Sequence, residues 1–215
     1  MLSYRHRFLF IHVYKVAGTS VRAALAPFAH DPGRAVVNRV ARRLHVAPRW
    51  PFHRWREFED HVTAADVRAA LPTTTWDGLF KFAFVRNPWD WQVSLYEYMR
   101  QNSEHPDHAR IAPLSFKEYL ECCVAWAHPQ ESWLVDEHGQ LILDFVGRHA
   151  SIASDFAAIA ARLGISAELP RRKVTPHPDY RSYYAAAQAE QVARTFSADI
   201  KRFGFTFDDG ALPRE

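Results

Sequence analysis

The chain has 215 residues but only two cysteines, the neighbours Cys122 and Cys123. Adjacent cysteines cannot staple distant segments, which excludes a disulfide scaffold and favours a reducing, cytoplasmic setting. No apolar run approaches the roughly 18 residues of a membrane-spanning helix, and the stretch 8–13 is too short for the core of a signal peptide. With 8 glycines and 13 prolines, low-complexity and collagen-like chains are excluded as well.

Several catalytic patterns are also missing. There is no Gly-X-Ser-X-Gly elbow and no Cys-X-X-Cys pair, which argues against serine hydrolase and thiol redox chemistry. His105 and His108 have no cysteine or carboxylate at a recognisable zinc spacing. We therefore expect no metal site.

The residues that are present indicate one packed α/β domain over 1–215. Hydrophobic residues make up 48% of the chain and charged residues 24%, as in globular proteins. Apolar runs at 8–13, 80–85 and 141–146 predict strands, and amphipathic segments between and after them predict helices. The first helix is expected to begin near Gly18 or Thr19, with Pro27 and the Asp31-Pro32-Gly33 turn as its end. Further helices are expected after Thr63, after Asn87-Pro88, over 115–123, over a stripe from Ile152 that ends at Gly164, and over the segment of Val192, Phe196, Ile200 and Phe203. Interleaved strands and helices favour a mainly parallel central sheet with flanking helices.

Positive charge is concentrated in one segment. No acidic residue occurs between Asp31 and Glu57, and the interval holds seven arginines: Arg34, Arg39, Arg42, Arg43, Arg49, Arg54 and Arg56. Such a patch favours an anionic partner, although a solvated arginine-rich face fits equally well. Aromatic rings alternate with the arginines over 48–56, so we interpret residues 30–60 as a basic, aromatic-rich insertion or lid.

The first candidate site is the turn after the strand at 8–13. Lys15, Thr19 and Ser20 lie between that strand and a helix N-terminus, where backbone N–H groups and the helix dipole favour an anion such as phosphate. The lysine precedes Gly18, so the turn is not a Walker A loop, and a magnesium–nucleotide triphosphate enzyme is disfavoured. An ordinary strand–helix connection with a surface lysine remains the alternative.

The second candidate site follows the strand at 80–85. Arg86 stands at its carboxyl end, where parallel sheets bind ligands, and its planar guanidinium suits phosphate. Ser94, eight residues on, offers a hydroxyl to the same group. An arginine in this position more often forms an ion pair, and that alternative stays open.

Together the two segments resemble the PAPS-dependent sulfotransferases, in the group that contains carbohydrate sulfotransferases and their bacterial relatives. Residues 10–20 are similar to the family's 5′-phosphosulfate loop and residues 84–94 to its 3′-phosphate motif. The similarity continues through 144–148 and 180–207. It implies a P-loop NTPase-like nucleotide-binding sulfotransferase fold that binds 3′-phosphoadenosine 5′-phosphosulfate (PAPS) as donor and releases adenosine 3′,5′-bisphosphate (PAP), with no metal.

By position, the resemblance implies that the turn Lys15, Val16, Ala17, Gly18, Thr19 and Ser20 holds the 5′-phosphosulfate. Arg86 and Ser94 would hold the 3′-phosphate, and Lys173 in a basic C-terminal loop would complete the cradle. The chain departs from the family at Tyr14, where proline is usual, at Val16, where threonine is common, and around Ala150.

A sulfuryl transfer needs a base for the acceptor hydroxyl, and histidine serves near neutral pH. His61 is the candidate, because relatives carry a similar histidine before a short helix; a surface histidine is the alternative. Lys15 is expected to stabilise the charge on the leaving group. His12, between apolar residues, is expected to be structural, and His177 a loop residue.

The acceptor is expected to be a hydroxyl on a glycan, anionic glycans included, or on a small metabolite. Single-stranded nucleic acid also fits basic, aromatic segments, but transfer chemistry makes it the less favoured partner. A kinase-like phosphoryl transferase and a non-catalytic nucleotide- or anion-binding module are the competing functions.

Overall fold

The computed structural model describes residues 1–29, 43–44, 58, 61–124, 128–170 and 176–209. Most of the expected insertion at 30–60, the acidic neighbours of His61, and Lys173 lie outside the described residues. The single-domain organisation with a lid stays a prediction.

A mostly parallel sheet forms the centre of the described chain. Its strands are β1 (Leu2–Ser3), β2 (Phe8–Ile11), β3 (Phe80–Val85) and β4 (Phe145–Arg148), in the spatial order β1-β2-β3-β4. β1 pairs antiparallel with β2, whereas β2–β3 and β3–β4 are parallel. All four residues of β2 are buried, as expected for a strand covered on both faces. The predicted α/β class, with helices flanking a mainly parallel sheet, is confirmed.

The parallel register brings the strand ends together. Ile11 is opposite Ala83, and Val85 is opposite Arg148. The segments that follow β2, β3 and β4 therefore leave the sheet at one edge, where parallel α/β folds bind ligands.

The helices between and after the strands cover the sheet. They are α1 (Gly18–Ala29), α2 (Ala64–Ala70), α3 (Thr73–Asp77), α4 (Pro88–Gln101), α5 (His108–Ile111), α6 (Phe116–Cys123), α7 (Ile152–Leu163), α8 (Ala186–Thr195) and α9 (Ser197–Phe203). Short 3-10 helices occupy Gln130–Trp133, His149–Ser151 and Tyr180–Tyr183. In the described residues, no helix has the length and apolar character to cross a membrane.

The helix ends follow the capping residues in the sequence. The Thr63 side chain accepts from the Asp66 N–H, the Asn87 side chain accepts from the Trp89 N–H, and Ser115 forms a full capping box. Gly164, with φ 63°, ends α7 in the left-handed conformation that glycine adopts without steric cost. These boundaries match the predicted ones.

Other predicted boundaries are wrong. The strand over 141–146 begins at Phe145, because the Asp144 carboxylate accepts the Lys81 N–H at 2.7 Å in place of a strand carbonyl. The helix over 192–203 is divided at Phe196, whose φ of −108° and ψ of 29° are not helical. The first strand ends at Ile11 and not at Val13. α1 contains Pro27 and runs to Ala29, and the predicted Asp31-Pro32-Gly33 turn lies outside the described residues.

Candidate functional site

The turn after β2 has an unusual backbone. Lys15 and Ala17 have φ of 59° and 61°, in the left-handed region that residues with a Cβ rarely adopt, whereas Val16 between them does not. Each such residue costs about 1–2 kcal/mol. Alternation in and out of this region aims successive backbone N–H groups into one concavity that suits an anion. Val16 and Ser20 are buried and Thr19 is exposed.

His12 packs tightly against this turn. A Cβ on Gly18 would lie 1.9 Å from the His12 imidazole, so only glycine fits there. The ring also stacks on Phe10, with centroids 5.9 Å apart. His12 thus sets the distance between the end of β2 and the start of α1.

Hydrogen bonds to both its ring and its backbone carbonyl hold His61 beside the turn. Its Nδ1 lies 2.9 Å from the His12 carbonyl oxygen, and its own carbonyl accepts from Trp133 Nε1 at 2.9 Å. Because a carbonyl can only accept, Nδ1 carries the hydrogen and Nε2 of the neutral ring carries the lone pair. The backbone of His61 is left-handed, with φ 67°. The ring is therefore fixed in the tautomer that a base at Nε2 requires.

One aromatic ring contacts the Lys15 side chain, and further aromatic rings pack next to that ring. Its ammonium lies 3.9 Å from the centroid of the Tyr98 ring on α4, a cation–π contact. Tyr14 packs edge-on against both His61 and Tyr98, at 5.2 and 6.4 Å. Burial raises the pKa of Tyr14 to about 12, with further contributions from Tyr98 and Asp107, so Tyr14 stays neutral.

Arg86 is fixed at the end of β3. Its backbone N–H donates to Gln130 Oε1 and its carbonyl accepts from Gln130 Nε2, both at 2.8 Å. Its guanidinium makes a bidentate contact with Asp90 on α4, at 2.6 and 2.8 Å. The ion-pair alternative from the sequence is therefore present, and it lies on the wall of a cavity.

A buried carboxylate supports Gln130 from behind. Asp199 on α9 is 0% exposed and accepts from the backbone N–H groups of Gln130 and Glu131, each at 2.8 Å. Burial raises the pKa of Asp199 to about 6, and the backbone donors oppose that rise. A continuous chain of contacts thus runs from α9 through Gln130 to Arg86.

The cavity beside Arg86 has a volume of about 350 Å³. It lies where β3, the 3-10 helix after β4, and the segments 177–181 and 205–209 meet. The charged and imidazole side chains that line it are Arg86, Asp90, Arg148, His149, His177, Asp179, Arg181 and Asp209. It has the size of a small-molecule site.

His149 lies beside the ion pair of Arg86 and Asp90, with its Nδ1 4.0 Å from the Asp90 carboxylate. Its pKa is lowered to about 4, first by burial, then by Arg86, with smaller contributions from His177 and Lys15 and an opposing one from Asp90. The parallel register of β2, β3 and β4 places the turn after β2, Arg86 and His149 at the same edge of the sheet.

Two further residues, Ser94 and Lys173, are predicted to bind the nucleotide. Ser94 is 2% exposed, one helical turn beyond Asp90, and is not among the described residues that line the cavity. Lys173 lies outside the described residues. Within the described ranges, no cluster of three or more histidine, cysteine, aspartate or glutamate side chains has a geometry to hold a metal ion.

Sequence reasoning missed three residues of the cavity. His149 directly follows β4, so the rule that ligands bind at the carboxyl ends of strands could have singled it out. Asp90 was visible one turn after Arg86 as a partner for it. His177 reaches Arg86 from a distant loop, 91 residues along the chain, and nothing in the local sequence indicated this contact.

The structure is that of an α/β protein whose sheet edge carries a turn with left-handed residues, Lys15 among them, and a cavity lined by arginine, aspartate and histidine side chains. The pattern of the sulfotransferase family matches residues 1–206, and the chain belongs to that family.

Two comparisons show how distant its relatives are. An uncharacterised protein of Archaeoglobus fulgidus is 25% identical over 124 residues, which cover 53% of this chain and 91% of that one. The crystal structure of mouse sulfotransferase SULT7A1 complexed with PAP aligns with a TM-score of 0.54 over 93% of this chain and 86% of that one, at 15% identity. At this identity the likeness shows the sulfotransferase fold.

Proposed function

We propose that the protein is a PAPS-dependent O-sulfotransferase, which moves a sulfuryl group from PAPS to an acceptor hydroxyl. The observation that carries the proposal is the position of Lys15 after β2 and of Arg86 after β3, at the same edge of a parallel sheet. An amine and a guanidinium in this relation can hold the two ends of one nucleotide that carries phosphates at both its 3′ and 5′ positions. The mouse relative was crystallised with PAP, which supports the same ligand here.

The binding roles follow from the two segments. The left-handed turn and the N-terminus of α1 bind the 5′-phosphosulfate through Lys15 and the backbone N–H groups of residues 16–20. Arg86 binds the 3′-phosphate, and Ser94 and Lys173 are assigned to the nucleotide by family resemblance. PAPS supplies the activated sulfuryl group.

During the transfer, residues of this chain accept one proton and stabilise the leaving group. The acceptor oxygen bonds to sulfur as the bond from sulfur to the bridging phosphate oxygen breaks, and PAP departs with the electron pair. The hydroxyl proton passes to His61 Nε2. Lys15 stabilises the negative charge on the leaving phosphate, an effect worth about 3 kcal/mol for one well-placed donor.

The geometry of His61 supports its role as the base. Its Nδ1–H is directed to the His12 carbonyl, which leaves Nε2 to accept a proton. A third group that orients the ring of a base is a recurrent feature of such sites.

The acceptor is a hydroxyl compound, and we propose a glycan or a small hydroxylated metabolite. Tyr14, Tyr98 and His61 form an aromatic surface beside Lys15, and such rings pack on the faces of sugars. Membership of the carbohydrate sulfotransferase group, and a preference for anionic acceptors through the segment at 30–60, belong to this proposal.

The test compares ligands and follows transfer of labelled sulfate. We expect PAP to raise the melting temperature more than ATP with magnesium, and labelled PAPS to transfer sulfate to a member of a hydroxyl-acceptor panel. Lys15→Ala should lower turnover about 10²–10³-fold. Lys117→Ala, which changes a lysine that is 67% exposed, is the control.

Greater protection by ATP with magnesium would favour the phosphoryl-transferase alternative. Protection by PAP without transfer to any acceptor would favour the binding module. Wild-type turnover in Lys15→Ala would contradict the role of the turn.

A further inference from the structure

Two histidine side chains flank the Arg86–Asp90 ion pair on the wall of the cavity. His149 Nδ1 lies 4.0 Å from the Asp90 carboxylate, and His177 Nε2 lies 3.5 Å from the guanidinium of Arg86. His177 Nδ1 contacts the Pro178 carbonyl at 2.8 Å, so it carries the hydrogen and Nε2 accepts from Arg86. In the neutral state neither histidine adds positive charge to the site.

The described lining of the cavity carries no net formal charge. Three arginines, Arg86, Arg148 and Arg181, are matched by three aspartates, Asp90, Asp179 and Asp209. Asp90 pairs with Arg86, and Asp179 with Arg181 at 2.9 Å. An entering phosphate dianion therefore meets a balanced site whose main guanidinium already holds a carboxylate.

Histidines are the groups that can change this balance near neutral pH. We propose that His149 takes up a proton when the nucleotide's 3′-phosphate enters the cavity, and that the imidazolium then pairs with Asp90 while Arg86 turns to the phosphate. Nucleotide binding is thus coupled to proton uptake. The inference rests on the proposed function, because it takes the anion to be PAP or PAPS.

The charges that face His149 explain why the proton arrives with the ligand. Arg86, His177 and Lys15 oppose a positive charge on the ring, whereas Asp90 favours one; together with burial they hold its pKa at about 4. The 3′-phosphate beside Arg86 and the 5′-phosphate beside Lys15 neutralise these two cations and raise that pKa. The proton comes from solvent, and no bond in the ligand breaks.

Asp90 makes the exchange geometrically possible. It lies between Arg86 and His149, within 2.6 Å of the first and 4.0 Å of the second. A small rotation of its carboxylate exchanges one cationic partner for the other. Arg86 then offers its fork to the phosphate, and Asp90 does not remain as an unpaired charge.

Calorimetry of PAP binding tests the proposal. Titrations at one pH in buffers of different ionisation enthalpy give the number of protons taken up. The phosphate's own titration is common to all variants, so the difference between wild type and His149→Gln isolates the contribution of His149. His138→Gln, a change at a histidine that is 77% exposed, is the control.

We expect wild type and His138→Gln to take up more protons than His149→Gln. PAP affinity of the wild type should also fall more steeply between pH 6 and 8, by up to about tenfold per pH unit for one coupled proton. Direct titration of the His149 ring by NMR in the wild type should show a higher pKa with PAP than without it.

The outcomes separate the two proposals. Failure of PAP to bind the wild type contradicts the proposed function. Tight binding of PAP with equal proton uptake in wild type and His149→Gln, and an unchanged His149 titration, overturns proton coupling alone. If His149→Gln does not fold, the NMR titration of the wild type decides.

Discussion

Gln130 holds both backbone polar groups of Arg86, with its amide nitrogen donating to the carbonyl and its amide oxygen accepting from the N–H, each at 2.8 Å. The Gln130 side chain thus bonds to the Arg86 backbone as a neighbouring strand would. It extends strand-like pairing one residue past the end of β3. It fixes the point from which the guanidinium extends, and Asp199 fixes Gln130 in turn.

Gln130→Ala should therefore weaken PAP binding without removing a group that contacts PAP. Two buried backbone groups of Arg86 lose their partner, which costs about 1–3 kcal/mol of stability, and the guanidinium loses its fixed origin. Urea unfolding and PAP titration measure the two effects. Gln140→Ala, at an exposed glutamine, is the control, and unchanged PAP affinity in a folded Gln130→Ala protein would contradict the positioning role.

His61→Ala should lower kcat about 10²–10⁴-fold, the usual contribution of a general base, with little change in PAP affinity. His128→Ala, at an exposed histidine, should behave as wild type; full activity in His61→Ala would assign the base to another residue.

Gly18→Ala should destabilise the turn, because its Cβ would lie 1.9 Å from the His12 ring. Removing that ring in His12→Ala makes room for the methyl group and leaves the backbone carbonyl that contacts His61. The double variant should consequently recover part of the stability that Gly18→Ala loses, a coupling that thermal unfolding of the four proteins measures. Strictly additive losses would mean that the clash is relieved elsewhere.

Local sequence signals were sufficient for much of the fold. The apolar run at 80–85, the caps Thr63, Asn87 and Ser115, and Gly164 act within a few residues, and each led to a correct boundary. The strand before Phe145 was misplaced because Asp144 bonds to Lys81, 63 residues away. A contact of that kind leaves no mark on the periodicity of either segment.

The residues of the candidate site fall into the same two groups, those placed by the local sequence and those placed by contacts with distant residues. Lys15 and Arg86 follow strands, so the topology of a parallel sheet was enough to place them at one edge. The contacts that position Arg86 come from Gln130, 44 residues on, and from His177, 91 residues on. The role of His61 as the base is a prediction that His61→Ala tests, and the contacts of Ser94 and Lys173 with the nucleotide stay predictions.

The left-handed residues of the turn after β2 have a thermodynamic consequence. Lys15 and Ala17 adopt their φ of 59° and 61° in the folded chain, so the conformational penalty is part of the free energy of folding. A phosphate that enters this turn does not have to order a mobile segment, and more of its contact energy is retained as affinity. Binding at this end of the site should show a small entropy loss and rapid association, whereas the Arg86 end must first exchange one partner for another.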